Sequence, residues 1–323
     1  MHHFDVRHKL LDYMPDHPGG LTREHVVWAY RLLLDRDPES DDVIGPKLAG
    51  SRDTRELRHH LMTSSEFQEK NRDYAHTNDR TIVIKELENG VRLFVDLSDH
   101  VIGLNIVRGQ YERDATELVR RSLHPGDIAI DAGAHIGLFA MEMAAAVGAG
   151  GVVYAFEPFG PNADLVERSI AENQFEKRVV LRRSAVGAES RTATLTFPVE
   201  TLNTGGAYIV RPGTAPMPGN RTTEVPIVAL DDLDIRRPVR LIKMDVEGAE
   251  PLVVRGAARL LAEDRPLIVS ELHPAQLERV SGVSAAAFLD QMRALGYRAT
   301  TIDGAPIDRT PHDALASVVF RTN

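Results

Sequence analysis

The sequence predicts an α/β protein: a doubly wound sheet of parallel strands preceded by a helical domain. Three observations carry this. From Leu123 onward, short apolar or β-branched runs alternate with helical patterns, the rhythm of strands joined by crossover helices. A glycine turn, Asp131-Ala132-Gly133-Ala134-His135-Ile136-Gly137, follows the first of those runs and opens a helix. Residues 1–75 carry helical periodicity and no strand pattern.

In the helical part, Thr22 is placed to cap a segment with Val26, Val27, Tyr30, Leu33 and Leu34 on one stripe. The only tryptophan, Trp28, is expected in the core of this helix. Asp37-Pro38 and Gly45-Pro46 are breaks. A second helix is expected from about Thr54 to Met62, capped by Asp53 or Thr54, and a short turn begins near Ser64-Ser65-Glu66-Phe67. The histidines of this region (His2, His3, His8, His17, His25, His59, His60) lack ligand spacing and are expected on the surface.

Residues 76–110 form a strand-rich connection. TIVIKEL and VRLFVDL flank Glu88-Asn89-Gly90 and read as a β-hairpin. Residues 111–323 are the third region. Strands are expected at IAIDAG, GVVYAFEP, RVVLRRSAVG, LIKMDVEG and PLIVSELHP, with final candidates at Gly296–Ile302 and Ala314–Phe320. Helices are expected at IGLFAMEMAAAV, NADLVERSIAEN, near Glu250–Leu261 and at SAAAFLDQMRALG. Arg191–Leu230 interrupts the rhythm, and a strand pair broken by a long loop fits it.

Composition narrows the chemistry. The 323 residues include no cysteine, which excludes disulfides, thiolate catalysis and cysteine-ligated metals. Lys and Arg total 38 against 47 Asp and Glu, a formal net charge of −9. That balance lacks the basic field of a nucleic-acid binder, so none is expected as partner. The most apolar stretch, Ile136–Val147, carries Glu142 and reads as a buried helix, and no run reaches the ~18 apolar residues of a membrane span. The start has no signal-type apolar segment, so the expected location is the cytoplasm. A homo-oligomer stays open.

The glycine turn puts backbone N–H groups at a helix start, where a polar ligand can approach closely. Glu157 ends the next strand, 26 residues after Asp131, where an acid can accept hydrogen bonds from ribose hydroxyls. A nucleoside-containing cofactor at the carboxyl edge of the sheet follows. A dinucleotide fingerprint wants G-x-G-x-x-G, and here His135 stands between Gly133 and Gly137. Asp131 would repel a pyrophosphate and would suit a sulfonium, which favours S-adenosylmethionine over NAD. The alternative for Asp131 is a helix cap.

A third motif, Leu241-Ile242-Lys243-Met244-Asp245-Val246-Glu247-Gly248-Ala249-Glu250, resembles the IKIDVEGAE signature of the FkbM family of methyltransferases. The resemblance runs from about Tyr111 to Pro274. It takes in Tyr111-Glu112, DAGAHIG where the family has DxGANxG, YAFEP, Ser184-Ala185-Val186-Gly187, Asn203 with Gly205-Gly206, and Glu271-Leu272-His273-Pro274. His135 replaces the usual Asn. The pattern at Tyr30–Asp37 and Ser64–Phe67 is similar to a small bacterial helical module attached to glycan-modifying enzymes.

The resemblance implies a Rossmann-like class I methyltransferase sheet and S-adenosylmethionine-dependent O-methylation of a saccharide or glycosylated natural product. Methylation of an amine or protein side chain, an NAD-linked reductase and a vestigial non-catalytic fold are the alternatives. The implied cofactor residues are Glu112, Asp131, Gly133, Ala134, His135, Gly137, Glu157, Pro158, Phe159, Ser184, Ala185 and Asp245. A hydroxyl is a weak acid, so a base or metal is needed beside the methyl group. His273 is the candidate base, Asp245 is placed to orient the hydroxyl or to bind a divalent cation with Glu271, and Glu271 is the third catalytic candidate. Asp245, Glu271 and His273 are together a candidate site for Mg²⁺ or Mn²⁺. Open alternatives are a loop role for His273, an ion pair of Glu271 with Lys243, a helix-start role for Glu112 and a core role for Phe159. The loop Thr201–Thr223 is expected to form part of the acceptor pocket, with Arg211 and Arg221 available to an acidic or phosphorylated acceptor.

Overall fold

The structure, a computed structural model, describes residues 21–34, 36–62, 64, 66–67, 81–99, 102–198, 204–307 and 316–322. Contacts divide the chain into two units, Met1–Arg80 and Thr81–Asn323. His2, His3, His8, His17, Ser65, Asn203 and Ala314 lie outside the described residues.

The smaller unit holds α1 (Arg23–Leu34), α2 (Asp41–Ala49) and α3 (Thr54–Met62). Val26, Tyr30 and Leu34 on α1 bury against Ile44, Leu57 and Leu61. Trp28 is not in this core. It is 44% exposed, because its position on the helix faces away from that stripe, and Arg31 lies over its ring. His25 is buried rather than exposed, its Nδ1 within 2.8 Å of the Thr22 hydroxyl. Gly45-Pro46 does not break the chain: α2 runs through it. A short helix loses only one i→i−4 bond at a proline, and Asp41 and Asp42 favour its first turn. Asp53 caps α3 by accepting from the Glu56 N–H at 2.8 Å.

The larger unit begins with the antiparallel hairpin β1 (Ile82–Glu86) and β2 (Arg92–Asp96), joined through Asn89-Gly90. After it come α4 (Gly103–Val107), α5 (Arg113–Ser122), β3 (Ile128–Ala132), α6 (Leu138–Val147), β4 (Val152–Phe156), α7 (Gly160–Glu172) and β5 (Val179–Arg182). The chain then leaves the main sheet for β6 (Ala185–Val186), β7 (Arg191–Phe197), β8 (Tyr208–Ile209) and β9 (Arg221–Val228). It returns through β10 (Val239–Met244), α8 (Glu250–Gly256), α9 (Ala258–Asp264), β11 (Leu267–Leu272), α10 (Pro274–Val280), α11 (Ala285–Ala294), β12 (Tyr297–Thr300) and β13 (Ala316–Thr322).

The seven-stranded sheet has the order β12-β13-β11-β10-β3-β4-β5. Neighbours from β11 to β5 are parallel, but β13 runs antiparallel to both its neighbours, so the sheet is mixed rather than wholly parallel. The run RVVLRRSAVG is two strands, not one: after Arg183-Ser184, β6 pairs with β9 in a separate four-stranded sheet, β6-β9-β7-β8. The expected strand pair of the interrupting segment is β7 and β9, antiparallel over seven residue pairs.

Side chains alternate across each strand, and this sorts the core into two layers. Ala129, Val153, Ala155, Leu241 and Val269 face α5, α6, α7 and the hairpin. Ile128, Ile130, Tyr154, Phe156, Ile242, Met244 and Ile268 face α8, α9 and α11. The lone acid of the apolar helix α6, Glu142, is buried and held by Arg120 at 2.9 Å and by the Asn89 amide at 2.7 Å. The hairpin turn is thereby tied to the core.

Candidate active site

The chain winds outward from β3 through β4 to β5, then crosses back to place β10 on the other side of β3. The strand order therefore reverses between β3 and β10, and ligands bind outside the carboxyl ends of strands at such a point. A cavity of about 460 Å³ opens there. Its walls include Glu112, Gly133, His135, Glu157, Asp245 and Glu271.

Gly133 has φ +86°, and a Cβ there would overlap the Asp245 carbonyl oxygen. Only glycine lets the turns after β3 and β10 approach so closely. His135 also takes a left-handed φ, of 51°. Its N–H donates to Glu157 Oε2 at 2.8 Å, and the Phe159 N–H donates to Oε1 at 2.9 Å. Glu157 thus knits the β4 end to the glycine turn. Burial pushes its carboxyl up to about 8, against the two amide bonds that favour the charged form.

On the other side of the reversal, Asp131 and Lys243 are register partners on β3 and β10, and alternation puts both on the α6 face. Both are buried. Lys243 Nζ lies 3.1 Å from Asp245 Oδ2 and 3.7 Å from Glu112 Oε2, with the Phe139 ring 4.6 Å away. Burial alone would lower the Lys243 pKa, but Asp245, Glu112 and Asp131 hold it above its ordinary value. The buried Asp131 oxygens make no close hydrogen bond, and burial lifts its carboxyl to about 7 against the influence of Lys243 and the Ala140 N–H.

Asp245, Glu247 and Glu271 each bring a carboxylate oxygen within 4.8 Å of the others. Burial first, then the neighbouring carboxylates, raise Glu247 to about 8 and Glu271 to about 9. The Gln276 amide donates to Glu247 Oε2 at 2.8 Å. Glu250 closes the turn after β10 by accepting from the Val246 N–H at 3.1 Å.

Of the residues expected from sequence, Glu112, Gly133, His135, Glu157, Pro158, Ala185, Asp245, Glu271 and His273 line this cavity. Ala134, Gly137, Phe159 and Ser184 do not. Phe159 packs with Phe197, ring centroids 4.7 Å apart, in the core of the second sheet. Its backbone N–H still orders Glu157. Asp131 lies behind the wall beside Lys243. Glu271 does not pair with Lys243, which takes Asp245 and Glu112 instead. His273 stands outside the carboxylate group. It caps α10, its Nδ1 accepting from the Gln276 N–H at 3.5 Å. The expected loop contributes Gly205, Gly206, Ala207, Tyr208 and Ile209 to the cavity. Sequence reading missed Glu247 and Gln276. Glu247 had a signal, an acid two residues after Asp245 in the turn that follows a strand end.

The strand order and the ligand crevice at its reversal are those of the class I methyltransferase fold. A family model described as the methyltransferase FkbM domain matches residues 131–299, over half of the sequence, and the chain belongs to that family. No curated protein matches it. Among solved structures it is similar to the methyltransferase FkbM of Methylobacillus flagellatus, at 16% identity and a TM-score of 0.40 over 91% of this chain. It spans 58% of the length of that relative. It is also similar to an S-adenosylmethionine-dependent O-methyltransferase of Thermotoga maritima, at 14% identity, 74% and 77% coverage of the two chains and a TM-score of 0.39. A tRNA m1G37 methyltransferase of M. jannaschii matches at 13% identity, 76% and 58% coverage and a TM-score of 0.40.

Proposed function

We propose that this chain is an S-adenosylmethionine-dependent O-methyltransferase whose acceptor is a saccharide hydroxyl, and that residues 1–75 are an accessory module. The observation that carries the reading is the joining of two unlike half-sites in one cavity. Gly133, His135 and Glu157 form a nucleoside-type cradle, and Asp245, Glu247 and Glu271 form an acidic wall.

The cradle fits the cofactor: Gly133 leaves room where a Cβ would not, and Glu157 keeps lone pairs free for ribose hydroxyls. Glu112 and Asp245, which line the same cavity, would hold its amino-acid end. When bound, S-adenosylmethionine supplies a methyl group on a positively charged sulfur. The ionised form of Glu271 then takes the acceptor's hydroxyl proton; burial and the neighbouring carboxylates make that form a stronger base than an ordinary carboxylate, and turnover should rise with pH as it is populated. His273 orients rather than deprotonates. The cap bond engages Nδ1 and leaves Nε2 as the nitrogen that would meet the acceptor oxygen. The acidic net charge and the acidic wall speak against a nucleic-acid acceptor.

A second reading is a divalent cation, Mg²⁺ or Mn²⁺, on Asp245, Glu247 and Glu271, whose converging hard oxygens suit it. Turnover that EDTA abolishes and Mg²⁺ restores would favour that version.

The test is incubation with S-adenosylmethionine and a panel of saccharides and sugar phosphates, read by mass spectrometry. A mass gain of one methyl on oxygen is expected. Glu271→Gln should lower turnover by ~100-fold or more while leaving affinity for the demethylated product, S-adenosylhomocysteine, unchanged. Loss with His273→Ala but not with Glu271→Gln would return the base to the histidine.

A further inference from the structure

A second cavity, of about 330 Å³, adjoins the first, and Val186, Ile209 and Ala249 border both. Its character is opposite. Arg191, Arg211 and Arg255 line it, and Glu189 is its one acid. In a chain of formal net charge −9 this is a local reversal of sign, placed beside the acidic wall.

The cavity's arginines are differently engaged from the ion-paired arginines of the surface. Arg23, Arg52, Arg183 and Arg237 each hold a carboxylate within about 3.1 Å. Arg191 has Glu189 at 3.4 Å. Arg211 donates only to a neutral oxygen, the Glu278 carbonyl, at 3.3 Å. Arg255 makes no hydrogen bond or ion pair among the described residues. Two glycines seat them. A Cβ on Gly282 would lie 2.6 Å from Arg211 Nη1, and a Cβ on Gly256 would overlap the Gly187 carbonyl. The second contact presses the last turn of α8, which bears Arg255, against the end of β6.

We infer that this cavity is the subsite for a phosphate or diphosphate carried by the acceptor, so that the acceptor is a phosphorylated saccharide. Three guanidiniums and one carboxylate leave two positive charges, which a phosphate monoester or a diphosphate bridge neutralises and a single carboxylate does not. Guanidinium groups match phosphate oxygens in pairs. A ligand that crosses the shared border would place its phosphate among the arginines and a sugar hydroxyl against Glu271. The inference rests on the methyl-transfer reading for its acceptor, but the anion site can be measured separately.

The experiment is calorimetric titration of the whole chain with pyrophosphate and with glucuronate at low salt, with and without S-adenosylhomocysteine. Pyrophosphate should bind in both conditions and more tightly than glucuronate. In Arg211→Gln/Arg255→Gln its affinity should fall by ~10-fold or more, with S-adenosylhomocysteine affinity unchanged. No pyrophosphate binding, equal binding by the variant, or tighter glucuronate binding would overturn the inference. Failure of S-adenosylhomocysteine to bind would instead overturn the methyl-transfer reading and leave the anion result standing.

Discussion

On the β4 side of the pocket, Glu157 directs both carboxylate oxygens at backbone amides, and no other acid lines that wall. On the β10–β11 side, Asp245, Glu247 and Glu271 crowd together, and a buried cation, Lys243, is shared with Glu112 and Asp131. The first side is a geometric device: left-handed turns, a missing Cβ and one acid tied down by amides. The second is an electrostatic device, in which like charges are held close and burial makes them reluctant to ionise. A group that must fit a fixed shape belongs on the first, and a group that must change its charge belongs on the second.

Gly133→Ala breaks the comparison most severely, because the added methyl would meet the Asp245 carbonyl and push the two sides apart. The variant should lose cooperative unfolding and all cofactor binding. A wild-type urea transition would show that the two turns can separate without cost. Lys243→Met attacks the electrostatic side alone. It leaves Asp131, Asp245 and Glu112 without their buried cation and should cost about 3 kcal/mol in urea denaturation. A neutral result would mean that these acids are protonated in the folded state.

The pH dependence of stability sharpens the contrast with a smaller effect. Glu157 and Asp131 are raised to about 8 and about 7 in the folded chain, above their ordinary values. Between the unfolded and folded pKa values the native state holds more protons than the unfolded one, so stability falls as pH rises. The ligand-free protein should lose stability steadily between about pH 5 and pH 8, read as a falling Tm. In Glu157→Gln the slope should flatten. A slope unchanged by that substitution would place the titrating group on the acidic wall.

The geometric side was legible in the sequence because its parts are close along the chain. A strand, a glycine turn and an acid after the next strand have fixed spacing, and Gly133 and Glu157 follow from it. The electrostatic side was legible only as residue types. Alternation along β10 placed Lys243 beside Asp245, but its second partner, Glu112, is about 130 residues away in sequence and reaches it through tertiary packing. The departure of β6 into the second sheet left no signal, since RVVLRRSAVG is strand-like throughout. It is that departure which brings Ala185 and Val186 to the pocket and opens the arginine-lined cavity. Trp28 misled for a simpler reason: one large apolar residue off the helical stripe is a surface residue.

The central claim is that the Glu157 side of the pocket holds S-adenosylmethionine, and its most direct test is calorimetric titration of S-adenosylhomocysteine into the wild-type chain and into Glu157→Ala. The account predicts one site per chain in the wild type, with affinity weakened by ~10-fold or more in the variant as the ribose contact and the ordering of the glycine turn are lost. Absence of binding to the wild type, or equal affinity in the two proteins, would contradict it.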